Sequence, residues 1–169
     1  MTFLSRLRRS PSLPADVAGR LDLRGERVLA WAPLRGEGHV VATAARLLAE
    51  VDGRTLARPW SEVDHAEFEN ETEQLVVWWV DGGRVATMLD LDGAGRVPEV
   101  VHERVRASVL ATTQISLGPR RYLSVALRRG PDGELTTQAS PGPGVRLDDP
   151  EIAALVEAAS RRLREDAGQ

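Results

Sequence analysis

The chain has 169 residues, of which 42% are hydrophobic, with 22 Arg, no Lys, 25 Asp plus Glu and no Cys. That length allows one well-buried core, and a net charge of −3 gives no electrostatic case for nucleic acid as a partner. The absence of Cys removes disulfides, thiolate catalysis and Cys-ligated metals from consideration.

Residues 1–22 read as an N-terminal arm. Phe3, Leu4 and Leu7 interleave with Arg6, Arg8 and Arg9, and Pro11 and Pro14 interrupt any helix there. One reading is a weak membrane-surface contact through the three arginines. The simpler one is a tail that lays a few apolar side chains on the domain, because stable anchoring takes a second signal. The arm lacks a continuous apolar segment and a small-residue cleavage site, so it does not read as a signal peptide. No apolar run in the chain reaches the length of a membrane span. Together with the missing Cys, this makes the cytoplasm the expected location.

Residues 26–34 predict a first strand, with Val28, Ala30 and Ala32 on one face and Leu29, Trp31 and Pro33 on the other. Residues 39–50 carry Ala and Leu in helix-like proportion. They lie between two glycine turns at hairpin spacing, so they predict two short strands or one bent one. A short strand over 54–60 then leads into a meander over 58–91. Within it, 74–80 is apolar at almost every position, as in a strand covered on both faces. Asp81-Gly82-Gly83 predicts the following turn, and Val85, Thr87, Leu89 and Leu91 share one face beyond it. Period-two geometry sends Trp78 and Trp79 to opposite faces.

Past Gly93-Ala94-Gly95, Pro98 and Glu99 mark a helix start, and Val97, Val101, Val105 and Val109 form one helical stripe. Residues 111–139 return to strands. The last element is a helix capped by Asp149, with Pro150 first and Ile152, Leu155, Val156, Ala159 and Leu163 along one stripe. That stripe is expected to cover a sheet edge or face left open by the meander, with the surface beneath the Trp78-Trp79 strand as the candidate.

The phrases ERVLAWAPL, VVATAARLL, RPWSEVDHAEF and VPEVVHERVRASV, with the W-x-x-V element Trp60 to Val63, resemble a bacterial pleckstrin-homology-like (PH-like) domain. With the proline-flanked segment from Leu13 to Val17, the chain is also similar to a small-protein family of high-GC Gram-positive bacteria. The resemblance covers about residues 23–110. It implies an α+β fold in which a seven-stranded, partly open antiparallel barrel is closed by a helix. Residues 111–169 form a strand-and-helix extension that such a domain lacks, expected to pack into the same unit. Such domains often carry a basic pair where this chain has Ala44-Ala45.

His65 lies between Asp64 and Glu67, where carboxylates favour a charged imidazole or a shared metal. The simpler reading is an exposed histidine on an acidic strand. Arg120, Arg121 and Tyr122 put two guanidiniums and a phenol at one turn, suited to a phosphate or carboxylate, although two solvated arginines explain it as well. Glu62, Asp64, Glu67, Glu69, Glu71 and Glu73 crowd one hairpin without the spacing of a calcium loop, which predicts a solvated tip. Gly93-Ala94-Gly95 lacks the further residues of a nucleotide loop and predicts a turn into a helix. No catalytic residue set, no metal site and no cofactor follow from these patterns. Two functional readings remain. One is a non-enzymatic binding or scaffolding module for a protein or membrane-surface partner. The other is a small enzyme or small-ligand-binding protein with a site near His65 or Arg120-Arg121.

Overall fold

A computed structural model describes residues 12–51, 53–80 and 86–168. The arm residues Phe3, Leu4, Arg6, Leu7, Arg8, Arg9 and Pro11, the turn at Asp81-Gly82-Gly83, and Val85 lie outside the described residues.

Each described sheet is built from strands that follow one another in sequence and pair antiparallel. After helix α1 (Ala15–Arg20), the first sheet runs β1 (Val28–Pro33), β2 (His39–Thr43), β3 (Arg46–Val51), β4 (Arg54–Pro59) in that spatial order. One 3-10 turn, Trp60–Glu62, leads to a second sheet of β5 (Val63–Glu69), β6 (Gln74–Trp79) and β7 (Thr87–Asp90). Helix α2 (Val97–Ser108) follows. The third sheet has β9 (Tyr122–Arg129) between β8 (Val109–Ser116) and β10 (Leu135–Pro141), and α3 (Pro150–Asp166) ends the chain. The architecture is α+β, as expected.

The first two sheets and α2 share one core. Ala30, Val40, Ala42, Leu47 and Ala49 meet Val63, Leu75, Val77, Trp79, Leu89, Val97, Val100 and Val101 there. The expected partly open barrel takes the form of two separate sheets that do not close into a ring. Among the described residues they are joined by a single isolated bridge, Leu34 to Leu91. Arg35 N–H donates to the Asp90 carbonyl at 2.8 Å and Asp92 N–H to that of Pro33 at 2.9 Å, which fixes the same corner.

The residues 39–50 resolve into β2 and β3 around the turn Ala44-Ala45. Register explains their double burial. Val40 and Ala42 point into the main core, while Val41, opposite Leu48, points the other way beneath Val17 and Leu21 of the α1 region. These, and not residues 74–80, are the strands covered on both faces. In β6, Leu75, Val77 and Trp79 are buried whereas Val76 and Trp78 are half-buried. The two tryptophans part as period two requires. Trp79 Nε1 donates to Thr87 Oγ1 at 2.9 Å beneath the Arg58 guanidinium, and Trp78 stacks on His65.

The valine stripe also stops early. Val109, its expected last member, opens β8, because 109–116 alternates at period two and pairs along β9. The α3 stripe is buried, though not where the sequence suggested. Ile152, Ala159 and Leu163 close over Leu123, Val125 and Leu127, so the helix covers its own third sheet instead of the Trp78-Trp79 strand. The hydrophobic face of β9 is its nearest large apolar surface. As expected, Asp149 caps this helix, accepting from Glu151 N–H at 2.9 Å.

Candidate functional site

Of the residues singled out by sequence, His65 projects from β5 with half its side chain exposed. Its Nδ1 lies 2.8 Å from Asp64 Oδ2 and its ring stacks on Trp78, 4.4 Å between centroids at 8°. Arg120, Arg121 and Tyr122 are exposed at the β8–β9 turn, which is held by the Leu117 and Arg121 backbone N–H groups. Among the described residues no hydrogen bond, ion pair or ring contact joins His65 to this turn. His39 pairs with Glu50 at 3.3 Å, and His102 is exposed on α2. No group of three His, Asp or Glu suited to a metal occurs among the described residues.

The acidic hairpin is more than a solvated tip. Glu73, at φ 53, turns its carboxylate onto the backbone N–H of Ala94 at 3.2 Å and onto Arg35 at 3.2 Å. The Ala94 N–H bond, ahead of the Gly93 N–H and the Arg35 guanidinium, holds the Glu73 carboxyl below its usual range. The Gly93-Ala94-Gly95 turn therefore has a side chain of this protein, not a ligand, on its central donor.

Sequence reading missed the polar joint where the third sheet meets the first two. Arg128 is 4% exposed. It donates from Nε to Gln138 Oε1 at 2.7 Å, from Nη1 to Ser108 Oγ at 3.0 Å and from Nη2 to the Asp64 carbonyl at 3.1 Å. Gln138 Nε2 donates in turn to Asp64 Oδ1. Burial lowers the pKa of Arg128, partly countered by the Asp64 charge. A buried guanidinium needs acceptors around it, and each of the three nitrogens here has one.

Beside that joint, both sides of it wall a cleft of about 150 Å³. Ala44 and Ala45 come from the β2–β3 turn, Trp60 and Ser61 from the 3-10 turn, Arg104, Ala107 and Ser108 from α2, and Arg129, Gly130 and Pro131 from the β9–β10 turn. The walls are positioned by hydrogen bonds. Trp60 Nε1 donates to the Thr43 carbonyl at 3.1 Å, and Ser108 Oγ to that of Val105 at 2.7 Å. The β9–β10 turn closes on itself as Gly130 N–H donates to the Glu134 carbonyl at 2.9 Å. Arg104 and Arg129 are among the lining residues and no Asp or Glu is, although the Glu134 carboxylate packs against Gly130. Arg104 gives Nη2 to Glu103 at 2.7 Å, but its Nε is buried without an acceptor. A buried donor with no partner is rare in folded proteins, and this nitrogen is closed off from the cleft surface. Sequence gave little sign of this site, since its walls lie up to 87 positions apart (Ala44 to Pro131).

Compared with family models, curated proteins and solved structures, the chain matches none of them.

Proposed function

We propose that the chain is a non-enzymatic binding module on a PH-like scaffold, and that it engages its ligand or partner at the cleft between α2 and the β9–β10 turn. The scaffold reading is supported by strand order. Seven strands in a four-stranded and a three-stranded antiparallel sheet, followed by one helix packed on both, have the count and sequence that the resemblance implies. The binding reading is supported by one observation, the cleft itself, an open recess where α2, the 3-10 turn and two strand turns meet, with Arg104 and Arg129 among its lining residues. The cleft is about half the lower limit of roughly 300 Å³ for pockets that enclose a drug-sized molecule. It therefore receives a group projecting from a ligand and not a whole cofactor.

The test is an NMR titration of the ¹⁵N-labelled full chain with fractionated extract of its own host. Shifts concentrated at Ala45, Ser61, Arg104, Ala107 and Gly130 are expected, and Ala107→Trp, which fills the cleft from an exposed helix position, should abolish them. Shifts mapping instead to His65 or the Arg120-Arg121 turn, or none from any fraction, would overturn the assignment.

A further inference from the structure

Among the strands that end a sheet, β8 has the least to guard its edge. A sheet edge presents unpaired N–H and C=O groups, and proteins blunt it with charge, proline, bulges or short length. Here β4 carries Arg54, Arg58 and Pro59, and β5 carries Asp64, Glu67 and Glu69. Strand β7 has four residues, while β1 ends at Pro33 and β10 at Pro141. From Val109 to Gly118 the chain reads VLATTQISLG, with neither a charge nor a proline. Its one irregularity is a bulge at the start, between Val109 and Ala111, after which Ala111 to Ser116 runs in unbroken register along β9. The Leu117 N–H donates to the Arg121 carbonyl at 2.9 Å, so the odd-numbered residues turn their backbone groups to β9. Those of Thr112, Gln114 and Ser116 therefore point out of the sheet, and among the described residues no backbone group pairs with them. The side chains of these three are exposed as well. On the α3 side of the same strand, Ala111, Ile115 and Leu117 pack against the third-sheet core but stay only half-buried.

We propose that β8 pairs antiparallel with β8 of a second copy of this chain, about a two-fold axis at Gln114, so that two three-stranded sheets become one continuous sheet. The strand is self-complementary. With Gln114 opposite itself and Thr112 opposite Ser116, all three outward-pointing residues exchange backbone hydrogen bonds. On the exposed face uncharged polar side chains then meet uncharged polar side chains. On the α3 face Ala111 meets Leu117 and Thr113 meets Ile115, which covers apolar surface that one copy leaves half-open. No like charges are brought together, because the segment has none. Each α2 enters its β8 at Val109, so antiparallel pairing sends the two α2 helices to opposite ends of the joined strands. A two-fold contact of this kind is closed and uses up the β8 edge of both copies.

Sedimentation velocity of the full chain, from dilute to concentrated solution, should show a monomer–dimer equilibrium. The backbone amides of Thr112, Gln114 and Ser116 should gain protection from hydrogen exchange as the dimer forms. Two double variants at exposed positions test the register. Thr112→Lys with Ser116→Lys sets like charges opposite each other twice and should weaken the dimer roughly 10-fold. Thr112→Lys with Ser116→Glu sets opposite charges there and should dimerise within a few-fold of the parent chain. Both carry the same first lysine, so a loss confined to the first variant reports charge pairing and not misfolding. A monomer at every concentration would overturn the proposal. So would protection of the three amides already present in dilute monomer, which would place a segment of the same chain on the edge. A dimer indifferent to the lysine pair would put the interface elsewhere, and equal loss in both double variants would overturn the two-fold register.

Discussion

Replacing Arg128 by Met tests what holds the third sheet in place. The guanidinium makes three hydrogen bonds across or beside the joint, to Gln138, Ser108 and the Asp64 carbonyl. Bonds from a charged donor contribute roughly 1.5–3 kcal/mol each. Their sum overstates the effect, because burial opposes the charged form of this side chain, as its lowered pKa shows. Met also retains part of the apolar stem contact. The net loss expected is roughly 3–5 kcal/mol, the range seen when one partner leaves a buried charged network. For a chain of this size that lowers Tm by roughly 6–20 °C. The assay is urea unfolding followed two ways. All four tryptophans, Trp31, Trp60, Trp78 and Trp79, lie in the first two sheets or the 3-10 turn between them, so fluorescence reports that part alone. Far-ultraviolet circular dichroism reports the whole chain. In Arg128→Met the circular dichroism transition should move to lower urea and separate from the fluorescence transition. Adding Gln138→Leu should cost roughly 0.5–3 kcal/mol less than the sum of the single changes, as for residues in one network. A loss under about 1 kcal/mol, typical of an ordinary surface position, with the two transitions still superimposed would refute the argument.

Two further outcomes follow from local geometry. Gly38→Ala should destabilise by roughly 1–3 kcal/mol, because φ is +104° and the new Cβ would lie 2.7 Å from the Glu50 carbonyl oxygen. Gly36→Ala, at φ +99° with open space around it, should cost less, and equal urea midpoints for the two would contradict the packing part of that claim. Acid should weaken the fold through Glu73 and Glu50. The Ala94 N–H holds the first below its ordinary value of 4.5, and the Arg20 hydrogen bond, then His39, does so for the second. A depressed carboxylate contributes stability that is present above the unfolded value and lost as pH falls through the folded one. Stability followed by urea midpoint should thus fall as pH drops below about 4.5, and Glu73→Gln should flatten that fall. An unchanged acid limb in the variant would show that the Glu73 bonds carry no such stability.

What the sequence made legible was local. Hairpin spacing between glycine turns placed β2 and β3, period two separated Trp78 from Trp79, and Asp149-Pro150 marked the start of α3. Each of these depends on residues close in the chain. The joint does not, since Asp64 and Arg128 are 64 positions apart and Asp64 and Gln138 are 74. Arg128 and Arg129 show the difficulty in two residues. Strand alternation puts them on opposite faces, but arginine is seldom buried and nothing nearby says which of the pair is. The unmatched Arg104 Nε was likewise invisible, because an unsatisfied donor is a property of surroundings and not of spacing. The α3 stripe was read correctly as apolar. Only its destination was wrong, since the meander and the third sheet both offered a face and periodicity cannot choose between them.

Each apolar core here is closed by a helix of its own, α2 over the first two sheets and α3 over the third. Hydrophobic burial is therefore largely complete within each part, and being non-directional it sets no precise relation between them. The joint around Arg128 does that instead, with hydrogen bonds whose geometry admits little tilt or slide. The cleft is walled from both sides of this joint, so its width follows how the third sheet is seated. Anything that binds only the seated arrangement stabilises it by an amount growing with ligand concentration over Kd, about 2.7 kcal/mol at 100-fold excess. That is comparable to what the Arg128 bonds are expected to supply. Seating of the third sheet and occupancy of the cleft are on this account one equilibrium, reached through Arg128 from within and through the cleft walls from outside.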